Sequence, residues 1–152
     1  MLWAVRHDWP SGTQFTFNCY RHWSTLVVRD IRDESGYFLH SKEGVTQGDP
    51  LAMIAYGIGI LPLIWELREA HPRVTQPWYA DDAGAGGTFA DVQAHFQDLQ
   101  AWGPVRGYYP EPTKSILVVT PGNVARAKEH FRGMGIRVVT GHSYLRGYLG
   151  DV

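Results

Sequence analysis

The longest uninterrupted apolar stretch runs from Leu51 to Trp65, LAMIAYGIGILPLIW, and organises the rest of the chain around it. Its 15 residues fall short of the roughly 20 needed to span a bilayer, and Pro62 interrupts them. A buried helix is the better reading. Asp49 is a favoured N-cap and Pro50 suits the first helical position, where its missing N–H costs nothing. The pattern predicts a helix from Pro50 to about Ala70, kinked near Pro62 and stopped before His71-Pro72. Because it is apolar almost all round, a place at the centre of the domain is expected.

Shorter patterns flank this helix. Leu2–Asp8 reads as the tail of a helix closed by the turn Trp9-Pro10-Ser11-Gly12, and a second helix is expected from about Thr13 to His22. Thr25–Arg29 and Gly36–His40 are β-branched, apolar or aromatic runs that form a hairpin across Asp30–Ser35. Thr75–Tyr79 and Ala83–Gly86 predict a second, tight hairpin whose tip carries Asp81 and Asp82. Thr88 caps a helix through about Leu99, with Phe89, Val92, Phe96 and Leu99 on one face. After a Gly/Pro/Tyr-rich loop (Trp102–Thr113) come a strand Ser115–Val119, a basic helix Asn123–Arg132, and strands Ile136–Thr140 and Tyr144–Leu149. Strands mixed with segregated helices imply an α+β fold, an antiparallel sheet with helices packed on one face.

Composition narrows the function classes. The 152 residues fit one domain, 1–152, and 44% hydrophobic residues suffice for a core. One cysteine, Cys19, excludes an internal disulfide framework, and no two of the 7 histidines stand at zinc-ligand spacing. Leu2 follows Met1 without a basic run, so neither a cleaved leader nor a membrane span is expected, and residence inside the cell is. The net charge of −1 argues against a protein that simply coats nucleic acid. That mean hides a split: residues 1–100 hold 7 Lys and Arg against 12 Asp and Glu, whereas residues 101–152 hold 7 against 3. The first part suits cations and the second phosphates.

Two segments can carry chemistry. In Tyr79-Ala80-Asp81-Asp82 the adjacent carboxylates repel each other, a cost that a hard divalent cation turns into a benefit. A solvated Asp-Asp turn is the plain alternative. In Gly44-Val45-Thr46-Gln47-Gly48-Asp49-Pro50-Leu51, glycines permit close backbone approach, Gln47 donates and accepts, and the following helix N-terminus favours an anion. A capped turn into a core helix would account for the same residues.

Taken together, in this order and spacing, the two segments resemble the palm of reverse transcriptases, in particular those of non-LTR retrotransposons. The resemblance runs from about Leu2 to Asp151 and is strongest from Gly44 to Asp82. It implies a two-metal attack of a primer 3′-hydroxyl on a deoxynucleoside triphosphate, using Mg²⁺ or Mn²⁺, an RNA or DNA template and a DNA primer. Asp81 would be the main metal ligand, Asp82 a secondary one, and Tyr79 would lie near the primer terminus. Gln47 and Gly48 would lie against template and nucleotide, with the small residues Ala83–Gly87 leaving room for substrate. Lys114 falls where the family places a lysine that protonates the leaving pyrophosphate. Tyr144-Leu145-Arg146-Gly147 resembles the family's primer-grip turn, with Tyr144 and Gly147 as contacts, although Arg146 stands where Gly is usual and Tyr148-Leu149-Gly150 repeats the pattern.

The family also uses an earlier aspartate on a strand. Asp30 fails on spacing, lying in a hairpin tip 14 residues before Gly44, and Asp8 falls in a segment like the helix after the missing strand. The chain is therefore expected to begin just downstream of that aspartate and to be inactive alone. A non-catalytic remnant that binds nucleic acid or a partner through basic Arg126, Lys128, Arg132 and Arg137 is the competing expectation. A phosphate loop at Gly84-Ala85-Gly86-Gly87 is disfavoured, because Phe89 occupies the last glycine position.

Overall fold

The structure, a computed structural model, describes residues 2–29, 36–42, 49–80 and 82–151. They form a mixed α+β chain that divides into two compact units, Met1–Ile64 with Tyr79–Asp81 and Trp65–Trp78 with Asp82–Val152.

In the first unit α1 (Leu2–Asp8) turns through a 3₁₀ segment, Pro10–Gly12, into α2 (Thr13–Tyr20). The turn depends on Gly12. A Cβ there would lie 2.4 Å from the Trp9 ring, so only glycine lets the indole fold over the backbone. Ala4, Val5 and Thr16 are buried beside it. The hairpin β1 (Ser24–Arg29) and β2 (Gly36–Ser41) pairs Leu26 with Leu39 and Val27 with Phe38. These four side chains are exposed.

The central helix α3 (Ala52–Ala70) is continuous through Pro62. Its start confirms Asp49 as the cap: Leu51 N–H donates to Asp49 Oδ1 at 2.8 Å and Ala52 N–H to the Asp49 carbonyl at 3.0 Å. The expectation of burial all round is corrected. Ala52, Ala55, Ile60, Leu63, Ile64 and Leu67 are buried, whereas Met53, Ile54 and Trp65 stand exposed on the remaining surface. Apolar composition marks a helix that can be buried; which flank is covered depends on what packs there.

In the second unit Thr75 and Gly86 exchange both backbone hydrogen bonds at 2.8 Å, and Gly84 N–H donates to the Pro77 carbonyl at 2.8 Å. Pro77 has no N–H to return. Beyond them β3 (Trp78–Tyr79) pairs with β4 (Asp82–Ala83). Next, α4 (Phe89–Trp102) is capped by Thr88, whose Oγ1 accepts from Asp91 N–H at 3.3 Å. Helix α4 outruns the expected end at Leu99 and closes where Gly103 meets Tyr108, whose N–H donates to its carbonyl at 3.0 Å.

The C-terminal third departs most from expectation. Strand β5 (Ile116–Val118) pairs parallel with β6 (Arg137–Val139), because α5 (Val124–His130) intervenes and returns the chain in the same direction. The expected strand Tyr144–Leu149 is instead the corner of an antiparallel hairpin, β7 (Gly141–Tyr144) and β8 (Gly147–Gly150). Leu145 and Arg146 have φ of 49° and 63° and form its two-residue turn. So in place of one antiparallel sheet the described residues hold four two-stranded ladders, one of them parallel. Val74, Leu99, Ala127 and Phe131 are buried in this unit. Among the described residues no helix is long and apolar enough to cross a membrane.

Candidate functional site

The hairpin from Thr75 to Gly86 carries the adjacent carboxylates that the sequence singles out. The expected hairpin is present, with two short, closely bonded arms, but Asp82 belongs to the arm β4 rather than to the tip. Ala80 sits at φ 53°, a left-handed conformation that a residue with a Cβ adopts only at a cost. Asp82 opens β4 and is exposed, and Tyr79 is exposed as the last residue of β3. Asp81, Gln47 and Gly48 lie outside the described residues.

Asp82 is chemically available. Among the described residues no hydrogen bond or ion pair engages its carboxylate, and it stands in water. An exposed carboxylate at a reversal, next in sequence to a second one, suits an oxygen-preferring divalent cation. No group of three or more His, Cys, Asp or Glu among the described residues could hold a metal ion.

Tyr144, at the end of β7, buries its hydroxyl without a hydrogen-bond partner among the described residues, and burial, with the Asp82 charge second, pushes its pKa above the ordinary range. Its phenol stays protonated and can donate. Gly147 faces Tyr144 across the β7–β8 turn, where a Cβ would lie 3.3 Å from the Tyr144 carbonyl oxygen. The two residues singled out in Tyr144-Leu145-Arg146-Gly147 thus form one corner, and Arg146 takes a left-handed place that glycine usually fills. Tyr148-Leu149-Gly150 lies along β8 instead.

Lys114 ends a 3₁₀ turn, Pro112–Lys114, and is exposed. The carboxylate that feels its charge is Glu111, which hydrogen bonds from the Thr113 hydroxyl at 2.8 Å and the Thr113 N–H hold below its ordinary pKa. The small residues Ala83–Gly87 have a structural explanation of their own. A Cβ on Gly84 would stand 2.8 Å from Pro77 Cγ, so closing the hairpin arms already requires glycine there.

The sequence reading missed a polar cluster formed by α4 and the residue that follows α3. His95 of α4 is 1% exposed, with both ring nitrogens lacking a partner among the described residues, and its ring meets that of His71 edge-on at 5.5 Å. Burial, and secondarily the His71 charge, lower its pKa from 6.5 to about 4. His71 Nε2 in turn lies 2.8 Å from Asp98 Oδ2. The signal was present: Val92, His95 and Leu99 stand at helical spacing, so a histidine on that stripe faces inward.

No protein-family model, curated protein or solved structure matches the chain.

Proposed function

We propose that the chain is a reverse-transcriptase-like palm fragment of retroelement origin. The observation that carries this reading is the tight Thr75–Gly86 hairpin, whose strand β4 opens on an exposed Asp82 without a side-chain partner among the described residues, after a long helix capped by Asp49. The order of features is that of the family motif: Gln47-Gly48-Asp49 enters the helix, and Tyr79-Ala80-Asp81-Asp82 turns the hairpin.

In this proposal Asp81 and Asp82 would hold Mg²⁺ or Mn²⁺, and the bound ion would supply charge neutralisation at a triphosphate and activation of a primer hydroxyl. In the complete family site the residue matching Tyr79, and separately those matching Tyr144 and Gly147, would serve the primer end, those matching Gln47 and Gly48 the template and nucleotide, and the one matching Lys114 would protonate the leaving pyrophosphate. The family uses a third carboxylate, which neither Asp8 nor Asp30 of this sequence matches. The consequence is that this chain alone has little or no polymerase activity, since losing a ligand shared by both metals removes several kcal/mol of transition-state stabilisation.

Primer extension with Mg²⁺ or Mn²⁺ tests this directly, comparing the chain with Asp81→Ala. The expected result is no templated synthesis by either; robust synthesis lost on substitution would refute inactivity and strengthen the polymerase assignment.

A second reading rests on a separate observation. Arg126, Lys128, Lys114 and Arg137 are exposed and make no ion pair among the described residues, in contrast to Arg73, Arg106 and Arg132. Such cations suit a nucleic-acid backbone, giving a non-catalytic binding remnant. A primer–template duplex binding with a steep inverse salt dependence would support it, and no binding at low salt would count against it.

A further inference from the structure

A carboxylate on α4 bridges the two arms of the Asp82 hairpin where they leave the ladder. The sequence Thr88-Phe89-Ala90-Asp91 is a helix start in which the cap and the third helical residue can bond each other. They do so: Asp91 N–H donates to Thr88 Oγ1 at 3.3 Å, and the Thr88 hydroxyl donates to Asp91 Oδ2 at 2.7 Å. The other carboxylate oxygen faces the opposite arm. Asp91 Oδ1 accepts from Arg73 Nη2 at 2.6 Å and from Arg73 Nε at 3.2 Å.

The positions of the three residues give this arrangement its meaning. Arg73 stands two residues before Thr75, and Thr88 two residues after Gly86, the pair that closes the base of the ladder. Asp91 therefore joins the entering arm to the leaving arm just outside their last backbone bonds. The arms stay close here, since a Cβ on Gly87 would lie 3.6 Å from the Arg73 carbonyl oxygen. The Asp91 side chain is 16% exposed, whereas that of Arg73 is 82% exposed. The Thr88 hydroxyl and then Arg73 hold the Asp91 carboxyl below its ordinary pKa, so it is charged at neutral pH. A second tie, His71 to Asp98 at 2.8 Å, secures the same entering arm two turns further along α4.

We infer that Asp91 is a positioning residue for the Asp82 hairpin: through Arg73 and Thr88 it fixes both arms to α4 and so sets where the Asp82 carboxylate stands. The functional half of this inference rests on the metal reading of Asp82; the anchoring half does not.

Two variants separate anchoring from simple helix capping. Arg73→Gln removes one arm's partner and leaves the cap intact, while Asp91→Asn keeps an oxygen for Thr88 and removes the charge. Amide hydrogen exchange by NMR reads the Gly84 and Gly86 N–H groups, both ladder donors. Each variant is expected to speed their exchange about threefold to tenfold, with the Val119 amide, which donates to Val139, unchanged. Unaltered Gly84 and Gly86 exchange in both variants, or an effect of Asp91→Asn alone, would reduce Asp91 to a cap and overturn the inference. Titration with Mn²⁺, followed by broadening of the Ala83 amide, reads the functional half. Arg73→Gln should weaken the apparent affinity about threefold or more, and equal affinity would overturn the positioning role. Absence of broadening in the unaltered chain sinks the metal reading instead, leaving the exchange result to decide the anchor.

Discussion

The Tyr20 hydroxyl at the end of α2 donates a hydrogen bond to Oδ2 of Asp49, while Oδ1 of the same carboxylate caps α3 through Leu51 N–H. Both carboxylate oxygens are thus engaged, one by the helix and one by a residue 29 positions earlier. The Tyr20 bond is the larger cause holding the Asp49 carboxyl below its ordinary pKa, and burial with that bond pushes the Tyr20 phenol up to about 12. Tyr20→Phe keeps the ring and deletes the donor. Urea denaturation should show a loss of about 1 kcal/mol, and the Asp49 carboxyl resonance should titrate at higher pH than in the unaltered chain.

His95 makes the chain acid-sensitive in a defined window. Its folded pKa of about 4 lies below its ordinary 6.5, so the folded state disfavours the proton that the unfolded state accepts. The stabilisation from a neutral His95 is complete above pH 6.5 and declines as pH falls toward 4, for a total of about 3 kcal/mol. His95→Leu removes this dependence and relieves two buried nitrogens that have no partner among the described residues. Stability at pH 7.5 should be unchanged or rise by about 1 kcal/mol, and the difference between pH 7.5 and pH 4.5 should shrink; an unchanged pH slope would contradict the assignment.

Gly84 and Gly86 make a paired test of hairpin closure. A Cβ on Gly84 would meet Pro77 Cγ at 2.8 Å and the Pro77 carbonyl oxygen at 3.3 Å, whereas at Gly86 the nearest atom is 3.8 Å away. Gly84→Ala should therefore cost about 1–3 kcal/mol and Gly86→Ala within about 0.5 kcal/mol of nothing. Thermal unfolding of the two variants side by side checks the ranking.

The β7–β8 turn places Leu145 and Arg146 at positive φ, where a side chain is strained. Arg146→Gly should stabilise the chain by about 1 kcal/mol, and Leu145→Asn by somewhat less. A fall in melting temperature with Arg146→Gly would mean that the arginine makes a compensating contact worth more than its strain.

The elements legible beforehand were those with local causes. Asp49-Pro50 marked the start of α3, Thr88 marked α4, and two aspartates between apolar arms marked the hairpin, because caps and turns depend on a few adjacent residues. The β7–β8 corner was not legible, since Leu and Arg are not residues that supply positive φ cheaply, and only pairing of their neighbours forces them there. Nor was the parallel β5–β6 ladder, because strand direction depends on how α5 returns the chain rather than on the composition of either strand. At the candidate site the carboxylates announced themselves by type. The Asp91 bridge did not: Thr88-x-x-Asp91 was readable as a helix start, but the Arg73 partner comes from 18 residues away.

The mixture of ladder types also orders the assembly of the second unit in time. The β7–β8 pair closes across two turn residues, Leu145 and Arg146, a search that takes on the order of microseconds. The parallel β5–β6 pair must first enclose residues 119–136, including α5, and gains no backbone bond until that longer excursion is complete. Folding should therefore pass through a stage in which β7–β8 is in place while the edges of β5 and β6 are still bare, and that is when the run Ile116–Val119 is most exposed to aggregation.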